Sequence, residues 1–241
     1  MKISKTLLVL AGLGACASAS FAQVGTGGTI SNGFTNFTIG DYLGSGTGAG
    51  PLADMRVGGL GNPDHLNNAW WWFRQGGATR ESAFSGAISS VNTGNQLRID
   101  YVYGDFTATM TYRVTGINNG LGFLTEQMTI RNTTNHAITV DLFNLNDIDV
   151  NATPGNDTLA HTGANIVRFL DAGGATGWRA DYEGSEAFAF DSVGNVSAML
   201  TDSGVTNLTG TGSTRPAGDW EGAYQWTMNL ASNEAATASA L

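Results

Sequence analysis

The chain has 241 residues and sets 11 basic against 20 acidic side chains, a net charge of −9 that disfavours nucleic acid and anionic membranes as partners. Glycine fills 34 positions, about 14 % and twice the usual ~7 %, while charged residues make up 13 % against a usual ~25 %. That balance favours strands and tight turns over helices, in a chain long enough to bury a sizeable core.

At the N-terminus Lys2 and Lys5 precede an apolar run from Leu7 to Leu13, and small residues follow as far as Ala22. This reads as a secretory signal peptide over 1–22, cleaved before Gln23 and too short to span a membrane. A competing reading acylates Cys16 in a lipobox, but Gly14 suits that motif poorly and cleavage at Ala22 is preferred. Cys16 is the only cysteine, so a chain beginning at Gln23 has no disulfide and depends on its core. The only two lysines leave with the segment; the remaining nine arginines against 20 carboxylates give a charge of about −11.

Residues 67–81 read "NNAWWWFRQGGATRE". In a strand Trp70 and Trp72 face one way, Trp71 and Phe73 the other. Aromatics on both faces suit a core strand; an exposed sugar platform of Trp70, Trp72 and Arg74 is the alternative. Arg74 and Arg80 stand near Glu81, where an ion pair is the default.

Alternation is cleanest in "QLRIDYVYGDFTATMTYRV". A Gly104-Asp105 turn pairs Tyr103 with Phe106, Tyr101 with Ala108, Ile99 with Met110 and Leu97 with Tyr112, so both apolar sets fall on one side of the hairpin. "FLTEQMTIR" and "ITVDLFNLNDIDV" extend this to a four-stranded antiparallel meander from about 96 to 149. Alternation fails around Leu142 to Leu145, as in a segment covered on both faces or interrupted by a bulge. Further strands are expected at 166–170, 177–182, 187–190 and 196–200. "WEGAYQWTMNL" places Trp220, Tyr224, Trp226, Met228 and Leu230 on one face, and "ASNEAATASAL" opens another strand. "VGTGGTISNG", "GSGTGAG" and "VTNLTGTGSTRPAGD" read as loops. The expected fold is all-β, an antiparallel two-sheet sandwich with Gly-rich turns, in a single domain over 23–241.

The signal peptide, "WWWFRQGGATRE", "LFNLNDIDVNATPGND" and "WEGAYQWTMNLASNEAATASAL" together resemble bacterial secreted β-sandwich proteins of the PEP-CTERM sorting-domain group. The resemblance implies an exported extracellular or cell-surface protein and supplies no catalytic residue. The chain stops before that group's C-terminal sorting signal, and a truncated reading frame is the expectation.

Glu126 shares the apolar face of its strand with Leu124, Met128 and Ile130, so it needs a buried partner, with an arginine expected. The rival role is a glycosidase acid beside a second carboxylate. His65, His136 and His161 stand in separate turns without zinc-ligand spacing, and no nucleophile-elbow or phosphate-loop motif occurs. In "NDIDVNATPGND", Asp147, Asp149, Asn151 and Asp157 are candidate ligands of a weak calcium site, although residues 152 and 158 exclude an EF-hand and a solvated turn is preferred. The function expected is non-enzymatic and structural or adhesive, with extracellular polysaccharide or matrix as partner. A carbohydrate-binding module and, less favoured, a glycoside hydrolase are the alternatives.

Overall fold

The computed structural model describes residues 27–40, 51–163, 165–172, 177–185, 189–193, 196–209 and 214–241. The expected signal segment, Cys16 and the 44–50 loop lie outside them. In chain order the strands are β1 (Gly28–Ser31), β2 (Thr35–Ile39), β3 (Ala53–Val57), β4 (Asn68–Gln75), β5 (Ser82–Ala83), β6 (Ser89–Asn92), β7 (Gln96–Val102), β8 (Phe106–Asn118), β9 (Leu121–Asn132) and β10 (Ile138–Asp147). They continue with β11 (Asp157–Gly163), β12 (Ile166–Asp171), β13 (Arg179–Ser185) and β14 (Ala189–Val193); helix α1 (Val196–Thr201) follows, then β15 (Arg215–Gly218), β16 (Glu221–Leu230) and β17 (Ala235–Ala240).

All pairings are antiparallel and build two large facing sheets, β14-β16-β10-β4-β5 and β15-β11-β12-β13-β17-β9-β8-β7-β6, with a smaller sheet β1-β2-β3 beside them. The all-β sandwich is therefore as the alternation predicts. Facing contacts join the sheets: Phe73 meets Phe106 at 5.3 Å, the Tyr112 hydroxyl donates to the Ala69 carbonyl, and Phe37 of the small sheet stacks on Tyr112 at 5.0 Å. The buried apolar residues of all three sheets form one continuous core.

The β7–β8 hairpin has the expected register, Leu97 opposite Tyr112, Ile99 opposite Met110 and Tyr101 opposite Ala108, with Tyr103 N–H donating to Phe106 O. The meander, however, holds only as far as β9. β10 crosses to the other sheet, where it lies between β4 and β16, and β17 takes the expected place beside β9. The physical reason lies in the failed alternation: Leu142, Phe143 and Leu145 are all fully buried, so both faces of this strand need cover. Residues 196–200, expected as a strand, form α1 instead. Val196 and Leu200 are both fully buried and four apart, so one helix face carries the apolar contacts. Two segments read as loops each contain a strand, β1 and β15; Pro216 is tolerated in β15 because that strand is a sheet edge. Trp220 lies outside β16, its indole N–H donating to Pro216 O and its ring under Arg215.

Candidate functional site

The tryptophan strand is interior. Trp70, Trp71 and Trp72 are 1 %, 0 % and 0 % exposed, so neither Trp70 nor Trp72 offers a ring face to a sugar, and the platform expected as an alternative is not formed. Trp71 packs on Trp226 at 5.4 Å, and the Trp70 indole donates to Phe84 O. Arg74, the third platform residue, is occupied. Its guanidinium donates to Asp141 Oδ2, to Glu81 Oε1 at 2.7 Å, to Thr206 O and to Asn207 Oδ1, pinning the segment after α1 onto this sheet. Glu81 is fully buried and also accepts from the Thr206 N–H.

A cleft of about 700 Å³ opens elsewhere, between β9 and β13. Ala240 of β17 pairs with Glu126 on one side and Gly184 on the other, and Leu241 exchanges both backbone bonds with Glu183. Earlier residues of both flanking strands, 121–125 on β9 and 179–182 on β13, pair only with β8 and β12 among the described residues. Trp178, Arg179, Asp181 and Glu183 line one wall, and His65 lies against Trp178 at 4.9 Å on another. His65 Nδ1 accepts from the Asn151 N–H, so its proton sits on Nε2, a buried atom with no partner among the described residues. Burial first, then the nearby Arg56 charge, lowers the His65 pKa and keeps the ring neutral.

The cleft floor is a polar network between the sheets. Glu126, 3 % exposed, accepts from the Asn144 side-chain amide at 2.9 Å and the Asn146 amide at 2.8 Å. Tyr182, another floor residue, donates its hydroxyl to Asn144, with both the side-chain and main-chain oxygens at 2.7 Å. The arginine expected beside Glu126 is absent from this network; two asparagines take its place. Burial pushes the Glu126 carboxyl up to about 7, against the lowering effect of the two amide donors. Amides satisfy the carboxylate's lone pairs without supplying a countercharge, and a group so poised can exchange a proton near neutral pH.

At the end of β10 a second group forms. Asp147, Asp149 and Asp219 each place a carboxylate oxygen within 4.8 Å of the others. Of the residues expected as calcium ligands, Asp147 and Asp149 are thus together and Asp157 borders them. The Asn151 amide donates to Asp171 from a backbone with φ of 64°. Asp219 joins Asp147 and Asp149 from the segment between β15 and β16, and no sequence spacing signals it. Burial chiefly, then neighbouring carboxylates, raises the Asp147, Asp149 and Asp157 pKa values to about 6.

No family model matches the chain, and no curated protein does. Among solved structures it is similar to a polysaccharide lyase, at 10 % identity with a TM-score of 0.49 over 90 % of this chain. The chain spans 32 % of that protein. No helix among the described residues is long and apolar enough to cross a membrane.

Proposed function

We propose that the protein is an exported, non-enzymatic adhesive protein that holds a unit of an extracellular polysaccharide in the cleft beside Trp178 and His65. The observation that carries this reading is the cleft's lining. A partly exposed indole, Trp178, packs against a neutral His65, and the cleft continues past them to the polar groups of Glu126 and Asn146. An apolar ring face combined with convergent hydrogen-bonding groups is what a sugar ring requires, and ~300–1,000 Å³ is the usual size of such sites. The adhesive role replaces the Trp70 and Trp72 platform with Trp178.

Calorimetric titration against a panel of acidic and neutral polysaccharides tests it. Binding should fall by about tenfold or more in Trp178→Ala, as expected for loss of one stacking contact of ~1.5 kcal/mol. No binding anywhere in the panel, or binding indifferent to Trp178, would overturn the proposal.

A second reading, acid–base cleavage of the bound saccharide, is favoured by one observation, the Glu126 carboxyl poised near neutrality on the cleft floor. Both Glu126 oxygens are already engaged and only 3 % of the residue is exposed, which ranks this reading second. Release of new chain ends by the wild type, absent in Glu126→Gln, would put catalysis first.

A further inference from the structure

The acidic group at the end of β10 is assembled from three chain segments. Asp147 ends β10, Asp149 precedes the short 3-10 turn Val150–Ala152, and Asp219 lies between β15 and β16. Asp157 opens β11 and interacts electrostatically with both Asp147 and Asp219. None of the described ion pairs includes any of the four, so four like charges converge without a basic residue.

Two buried atoms point to what is bound there. Asp147 is 7 % exposed and Asp157 2 % exposed, yet Asp147 Oδ1 and Asp157 Oδ1 have no hydrogen-bond partner among the described residues. Their other oxygens are held in place. Asp147 Oδ2 accepts from the Asn67 amide at 2.8 Å, and Asp157 Oδ2 from the Val150 N–H at 2.8 Å. Each carboxylate is thus oriented by one oxygen while the second has no partner among the described residues, and an unsatisfied buried charged oxygen is costly. Sandwich cores retain such groups only where something compensates them.

We propose that Asp147, Asp149 and Asp219, with Asp157 at their edge, bind a calcium ion. All four donors are hard anionic oxygens with no nitrogen or sulfur among them, which suits Ca²⁺ over zinc or copper. Opposite oxygens in a Ca²⁺ shell stand about 4.6–5.2 Å apart, so three oxygens within 4.8 Å of one another can share one ion. The ion would join the end of β10 to the starts of β11 and β16, three places that otherwise repel. None of the four carboxylates lines the cleft, although their neighbours Asn146 and Ile148 do, and the site does not depend on the saccharide reading.

The chelator-treated chain is titrated with CaCl₂ by calorimetry and melted with and without the ion. One saturable site per chain is expected, with a dissociation constant of about 0.1–1 mM, and a melting temperature that rises with added calcium. Asp149→Asn and Asp219→Asn should each abolish that rise, whereas Asp202→Asn, a charge-matched change in the loop after α1, should retain it. In chelator Asp219→Asn should melt no lower than the wild type, because it removes a like charge from the group. MgCl₂ in place of CaCl₂ should give a smaller rise, since Mg²⁺ sheds its water reluctantly. The proposal fails if the wild type shows neither heat nor shift up to about 10 mM calcium, or if the shift survives both site variants.

Discussion

Glu126 shows how a single side chain is fixed by its surroundings. It faces Asn144 and Asn146 from β10 and the uncharged phenols of Tyr112 and Tyr182, with no cation among the causes acting on it. Its folded-state pKa of about 7 lies above the ordinary 4.5. The folded protein therefore binds more protons than the unfolded chain between those values, and the Glu126 contribution to stability is greatest below about pH 4.5 and declines until about pH 7. A shift of two units or more corresponds to about 3 kcal/mol. In urea melts across that window the wild type should lose about this much more than Glu126→Gln, which cannot ionise; parallel curves would show that the carboxyl is not strained by burial. Alternation in the sequence already marks Glu126 as an acid on an apolar face. Its partners were not legible, because they belong to a strand that crosses between sheets.

At the scale of elements, what could be read in advance follows from how local the determining interaction is. The β7–β8 hairpin is set by a two-residue turn and two alternating runs, all within 19 residues of sequence, and its register is as expected. β10 is different: its neighbours β4 and β16 lie some seventy or more residues away in either direction, as the pairs Asn144 with Trp71 and Asn144 with Tyr224 show. Its two-sided apolar pattern reported burial but not the partner. For α1, six residues with two β-branched members give no clear period, and packing decides. The acidic group at the end of β10 divides the same way, with Asp147 and Asp149 legible and Asp219 brought in only by the fold. The outer face of β4 gives a test at this scale. Arg74 joins β4 to β10 through Asp141, and to the segment after α1 through Thr206 and Asn207, while neutralising the fully buried Glu81. Arg74→Leu strands that carboxylate and should cost about 3–5 kcal/mol in chemical denaturation, and the double variant Arg74→Leu/Glu81→Leu should recover much of the loss. If the double variant is as unstable as the sum of the two single ones, the pair is not what fastens this segment.

For the whole molecule the decisive element is β17. It lies between β13 and β9, so it alone joins the β15-β11-β12-β13 half of the large sheet to the β9-β8-β7-β6 half. Its partners are distant in sequence, Ala235 opposite Arg131 and Ala240 opposite both Glu126 and Gly184, so its docking closes long loops. Its side chains are small: Ala238 and Ala240 are 1 % and 2 % exposed and fit beneath the facing sheet, while Thr237 on the other face bonds Thr129 across the ladder at 2.7 Å. Small residues there leave no room for a charge. Ala238→Asp should therefore cost about 3 kcal/mol or more, the price of an unpaired buried carboxylate, and should loosen both halves of the sheet together. Val91→Asp on the edge strand β6, where the side chain is 45 % exposed, should change stability by no more than about 0.5 kcal/mol. Hydrogen exchange separates the global effect from a local one. With Ala238→Asp, amides of β12 and β8 should lose protection in parallel although they lie on opposite sides of β17. Loss confined to β9 and β13 would mean that each half folds without the other and that β17 merely covers their edges.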